Sequence, residues 1–74
     1  MSPNIIREFW CLIEATQTNI LLELDDASLV RWLVQQFARR SMVNSHEVQD
    51  LDQYISVRIP LIRDIAQDRQ FQYQ

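Results

Sequence analysis

The stretch DDASLVRWLVQQFARR, residues 25–40, decides the fold class. Leu29, Val30, Leu33, Val34 and Phe37 recur at spacings of three and four, the period of one face of an α-helix. Asp25-Asp26 precede the first apolar residue. An aspartate there caps free backbone amides, and its charge suits the positive end of the helix dipole. Arg39 and Arg40 fall in the last turn, where cations suit the negative end. The pattern predicts a helix from Asp25-Asp26 to the two arginines, with Ser41 to Ser45 as the connection that follows.

Toward the N-terminus, Ile5, Phe9, Leu12, Ile13 and Thr16 repeat the same spacing. Ser2 is a capping residue and Pro3 suits the first helical position. A first helix is expected from Ser2-Pro3 to about Leu21, because Glu23 would fall inside the stripe if the helix went on. Toward the C-terminus, Asn44 and Glu47 have capping-box spacing, with asparagine in place of the usual serine or threonine. Val48, Leu51, Ile55, Ile62 and Ile65 lie on one side of a third helix. Pro60 removes a backbone hydrogen bond and crowds the preceding turn. The apolar phase nevertheless continues across it, which predicts one kinked helix or two helices meeting at Pro60. Strand alternation and hairpin turn residues are absent. The expected fold is an all-α bundle of three or four helices. Residues 1–74 form one domain around Phe9, Ile13, Leu33, Phe37, Leu51, Ile55 and Ile62, and 71–74 read as a flexible tail.

At 74 residues the chain is near the lower end of what folds alone. A core of this size supplies about 3–5 kcal/mol, so self-association or a partner would add useful stability. The composition, 47% hydrophobic and 23% charged, is globular rather than disordered. No apolar run approaches the roughly 20 residues that cross a bilayer. Met1-Ser2-Pro3-Asn4 lacks the basic start of a secretory signal. Cys11 is the sole cysteine, and a reducing cytoplasm is the simplest setting for it. The formal net charge is −3, and all seven cationic side chains are arginine. Such a balance argues against nonspecific binding to nucleic acid or to an anionic membrane. The absence of glycine excludes the glycine-rich loops that cradle phosphates.

The apolar arcs are wider than a core-facing stripe of somewhat over 100° needs. The first helix has an arc of roughly 180°, reaching Trp10 and Leu21 at one edge. On the second helix Trp32 lies outside the stripe, beside Gln35, Gln36 and Arg39. Tryptophan and arginine are favoured at binding hot spots. Trp10, Leu21, Trp32, Arg39 and Arg58 are therefore the expected partner-binding residues. Arg58 falls in the stripe of the third helix, where a guanidinium must be paired or reach water. An internal ion pair with Glu23, Asp25 or Asp26 is expected, with a partner's carboxylate as the alternative. Arg63 and Asp64 read as a solvated pair. His46 and Asp50 share a helical face, yet no further histidine or cysteine follows at metal-ligand spacing. Cys11 projects toward the polar side near Arg7 without an assigned base. No catalytic, cofactor or metal site is expected.

From Leu29 to Ala66 the chain resembles short proteins of unassigned function found in cyanobacteria. The resemblance rests on LVRWL at 29–33 and YISVRIPLIRD at 54–64. It implies a cytoplasmic bacterial protein and carries over no site residues.

The function expected from these features is a non-enzymatic protein–protein interaction module. It would serve as an adaptor or small regulatory subunit, with a homodimer as one form. A helix-turn-helix regulator of nucleic acid is one alternative. It is disfavoured because a recognition helix from Ser45 would present His46, Glu47, Gln49, Asp50, Asp52 and Gln53, an acidic face where phosphates need cations. A small redox or metal sensor is the other.

Overall fold

Asp25 caps the helix that follows it, its Oδ2 accepting the Ser28 N–H at 3.4 Å. A computed structural model of the chain describes residues 3–41 and 43–72, and the side chains of 3–41 and 43–70. Its elements in chain order are α1 (Pro3–Ala15), α2 (Thr18–Glu23), α3 (Asp26–Arg40) and α4 (Ser45–Gln72). There is no strand among the described residues. Helix α3 buries Leu29, Val30, Leu33 and Phe37, and Arg39 and Arg40 close its last turn as the dipole favours.

Helix α4 opens on the reciprocal cap expected from its sequence. The Glu47 N–H donates to Asn44 Oδ1 at 2.8 Å, and the Asn44 N–H donates to Glu47 Oε1 at 3.3 Å. Helix α4 runs through Pro60 as one element, so the alternative of two helices meeting there does not hold. The hydrogen bond that proline removes would have ended on Ser56. Both residues are exposed, so the freed carbonyl lies on the side that water reaches. The helix also runs through Gln72 rather than giving way at 71; Tyr73 and Gln74 lie outside the described residues, as does Ser2 at the other end.

The N-terminal segment departs from expectation. The single helix predicted to about Leu21 is two helices, broken at Thr16-Gln17. The Thr16 hydroxyl donates to Leu12 O at 2.7 Å, and the Thr16 N–H donates to Ile13 O at 3.1 Å, a tightened last turn. Gln17 is then extended, with φ −62° and ψ 139°. Two carbonyls at the break also accept from α4. Arg69 donates to Thr16 O at 3.3 Å and to Ile13 O at 3.2 Å. Helix α2 ends at Glu23, where the acidic interruption of the stripe placed an end.

All seven side chains expected at the centre of the core are buried. Leu12, Leu21, Leu29, Val30, Ile59 and Ala66 complete it. Helices α2 and α3 lie against α4. At about 1.5 Å per residue, the 28 residues of α4 account for the 40 Å long axis of the molecule. It is the spine on which the other three helices are laid.

Candidate partner interface

The acidic corner between α2 and α3 holds an arginine, but it is Arg63 and not Arg58. The Arg63 guanidinium donates to Leu21 O at 2.8 Å, to Leu24 O at 2.6 Å and to Asp26 Oδ1 at 2.8 Å. Two of these acceptors are carbonyls at the end of α2, so one planar fork closes that helix and ties the start of α3 to α4. The solvated Arg63–Asp64 pair expected from the sequence is therefore corrected. Five residues along a helix turn about 140° around its axis. That difference sends Arg63 toward the α2–α3 corner and leaves Arg58 on the side of α1.

Arg58 is half-buried, its guanidinium carbon 4.8 Å from the centre of the Tyr54 ring. The contact gives the cation a π-face in place of the expected carboxylate. The Tyr54 hydroxyl accepts the Trp10 Nε1–H at 3.0 Å. Phe9 stands edge-on to both rings, with centroids 5.3 Å from Trp10 and 5.9 Å from Tyr54. Tyr54 thus links α1 to Arg58, a role that its own position in the stripe did not signal. A tryptophan and a tyrosine at the edges of two apolar stripes, each with a polar tip that needs a partner when covered, were the available hint.

The five expected partner-binding residues do not form one surface. Leu21 is fully buried, so it belongs to the core and not to an interface. Trp10 is half-buried and committed to Tyr54. Trp32 is half-buried against the core, and Arg39 lies exposed two turns further along α3. Only Trp10 and Arg58 are brought together, through Tyr54. The wide apolar arcs of α1 and α3 are taken up largely by packing: their apolar side chains are buried or half-buried, apart from Ala15, Ala27, Ala38 and Cys11.

The exposed apolar surface is on α4. Val57 is 64% and Leu61 46% accessible, and they are the large hydrophobic residues left exposed among those described. They lie one helical turn apart, so their side chains adjoin. A shallow depression of about 290 Å³ borders Val57, lined also by Asp50, Gln53, Tyr54 and Arg58. A second cleft of about 420 Å³ lies between α3 and α4, with Val30 and Ile59 in its floor. Its polar rim is partly engaged, Asp26 by Arg63 and the Ser56 hydroxyl by Asp52 O at 2.8 Å.

Other reactive side chains stand apart. Cys11 is exposed beside Glu8, Arg40 and Ser41, where the Ser41 hydroxyl donates to Glu8 Oε2 at 2.6 Å. His46 is exposed at the start of α4. No group of three His, Cys, Asp or Glu is placed to hold a metal ion among the described residues. None of their helices is long and apolar enough to cross a membrane. Comparison of the chain with family models, with curated proteins and with solved structures gives no match.

Proposed function

We propose that the protein is a non-enzymatic interaction module, an adaptor or small regulatory subunit, that docks a protein partner on the outer face of α4. The observation that carries this reading is the exposure of Val57 and Leu61 when the other large aliphatic and aromatic side chains among the described residues are buried or half-buried. Full burial of an aliphatic side chain is worth about 1.5–3 kcal/mol, and a docked surface recovers the share of it that Val57 and Leu61 leave in water. The same face carries Arg58 and Tyr54, residue types favoured where interfaces concentrate their energy. Nothing at the start of α4 favours the nucleic-acid alternative, since His46, Glu47, Gln49 and Asp50 present no cluster of cations to phosphate.

The test pairs wild-type protein with the double variant Val57→Ser/Leu61→Ser. Both substitutions are at exposed positions, so the melting temperature should stay within a few degrees. Support for the reading is a protein that wild type retains from native extract and the variant loses, or self-association that the variant abolishes. A chain that stays monomeric and retains the same proteins with and without Val57 and Leu61 contradicts it.

A further inference from the structure

Resting on that reading, we infer that the strip on α4 takes a basic-ended amphipathic helix from a different protein rather than a second copy of this chain. Asp50, Tyr54, Val57, Leu61 and Asp64 follow one another at spacings of four, three, four and three, one continuous stripe along a helix. Its centre is apolar and exposed. Asp50 and Asp64 are exposed too, each seven residues from Val57, or roughly 10 Å along the axis. The strip is thus an apolar patch with one carboxylate two turns before Val57 and another about one turn after Leu61.

A second copy meets this arrangement with like charges. Antiparallel pairing centred on Val57 sets Asp50 against Asp64 of the second copy, and does so twice by symmetry. Parallel pairing sets each aspartate against its own counterpart. Sliding the antiparallel pair one turn, so that Val57 meets Leu61, brings Asp50 opposite Asp68. Each of these three registers juxtaposes carboxylates, and like-charge juxtaposition is what suppresses a wrong partner. A helix with an apolar pair at its centre and a lysine or arginine toward each end, spaced to face Asp50 and Asp64, meets the strip with complementary charge. Arg58 fixes where those cations belong. Its guanidinium lies over Tyr54, one turn inside Asp50, so positive charge on the occupant suits positions beyond it at the ends and not the interior of the strip. The depression bordered by Asp50, Val57 and Arg58 offers a seat for one of the occupant's apolar side chains.

Two designed helical peptides of about 18 residues test this, a length at which an isolated helix is sustainable. Both carry leucines at i and i+4 in the centre; one has lysines at i−7 and i+7, the other glutamates at the same two positions. Fluorescence anisotropy with the full chain should show the lysine peptide binding at least about tenfold more tightly than the glutamate peptide, with a gap that narrows as salt rises. Leu61→Ser should weaken the lysine peptide by about tenfold or more. The double variant Asp50→Asn/Asp64→Asn should close most of the gap between peptides while leaving melting unchanged. Equal binding of the two peptides, binding of neither, or binding indifferent to Leu61 and to both aspartates overturns the inference. So does a wild-type dimer in sedimentation equilibrium that Leu61→Ser dissolves. That last result would leave the docking reading standing, whereas a monomer with no strip-dependent partner would remove both.

Discussion

Arg63 on α4 lies 2.8 Å from Asp26 at the start of α3, yet only one end of this ion pair is sheltered: the arginine side chain is 21% accessible and the aspartate 77%. The two partners should therefore respond unequally to truncation. Asp26→Ala removes an exposed carboxylate and should cost up to about 1 kcal/mol. Arg63→Ala also strips the donors from Leu21 O and Leu24 O, and should cost about 2–3 kcal/mol. Urea denaturation of the two variants checks the order. Equal costs would mean that the ion pair, and not the carbonyl clamp, holds this corner.

Arg58→Met should change stability by no more than about 1 kcal/mol, since it exchanges a partly exposed cation–π contact for an apolar chain of similar length. Set beside Arg63→Met, which abolishes the clamp, the pair of variants separates the two arginines of α4 by thermal melting alone.

Tyr54→Phe keeps the ring that Arg58 covers and the edge-on packing with Phe9, but takes away the acceptor for Trp10 Nε1–H. A loss of about 1 kcal/mol is expected. In a Trp32→Phe background, which leaves Trp10 as the one indole, the fluorescence of Trp10 should change with the substitution. An unchanged spectrum would mean that the indole N–H is bound elsewhere.

Ser28, through its side chain first and its backbone N–H second, holds the Asp25 carboxyl below its ordinary value of 3.8. A carboxylate depressed in the fold contributes stability above the unfolded value, and that contribution is lost as pH falls through the folded one. Acid unfolding of wild type should therefore carry a component below about pH 4 that Asp25→Asn lacks, while asparagine preserves the cap. Parallel acid titrations of the two proteins by circular dichroism make the comparison; superimposable slopes would show that the cap does not depend on charge.

The bundle was largely legible in the chain because its signals are local. Periodicity alone placed Phe9, Ile13, Leu33, Phe37, Leu51, Ile55 and Ile62, and all are buried. The caps at Asp25 and at Asn44–Glu47 are likewise written within four residues. What escaped depends on contacts distant in sequence. The break at Thr16-Gln17 is sustained by Arg69, more than fifty residues away, and no residue at the break forbids a helix. The choice between Arg58 and Arg63 turns on how α4 is rotated against α2, which packing decides. Periodicity does not single out Val57 and Leu61, because they lie off the main stripe, where an isolated apolar residue looks ordinary. Conversely, Leu21 looked like surplus apolar arc until the break after α1 turned it inward, where it is fully buried.

The most direct test of docking on α4 is an amide chemical-shift map of the ¹⁵N-labelled chain titrated with the lysine-ended peptide. The strongest perturbations should fall on Asp50, Tyr54, Val57, Leu61 and Asp64, and should vanish in Val57→Ser/Leu61→Ser. Perturbations centred instead on Trp32 and Arg39 of α3, or unchanged in the double variant, would contradict a docking face on α4.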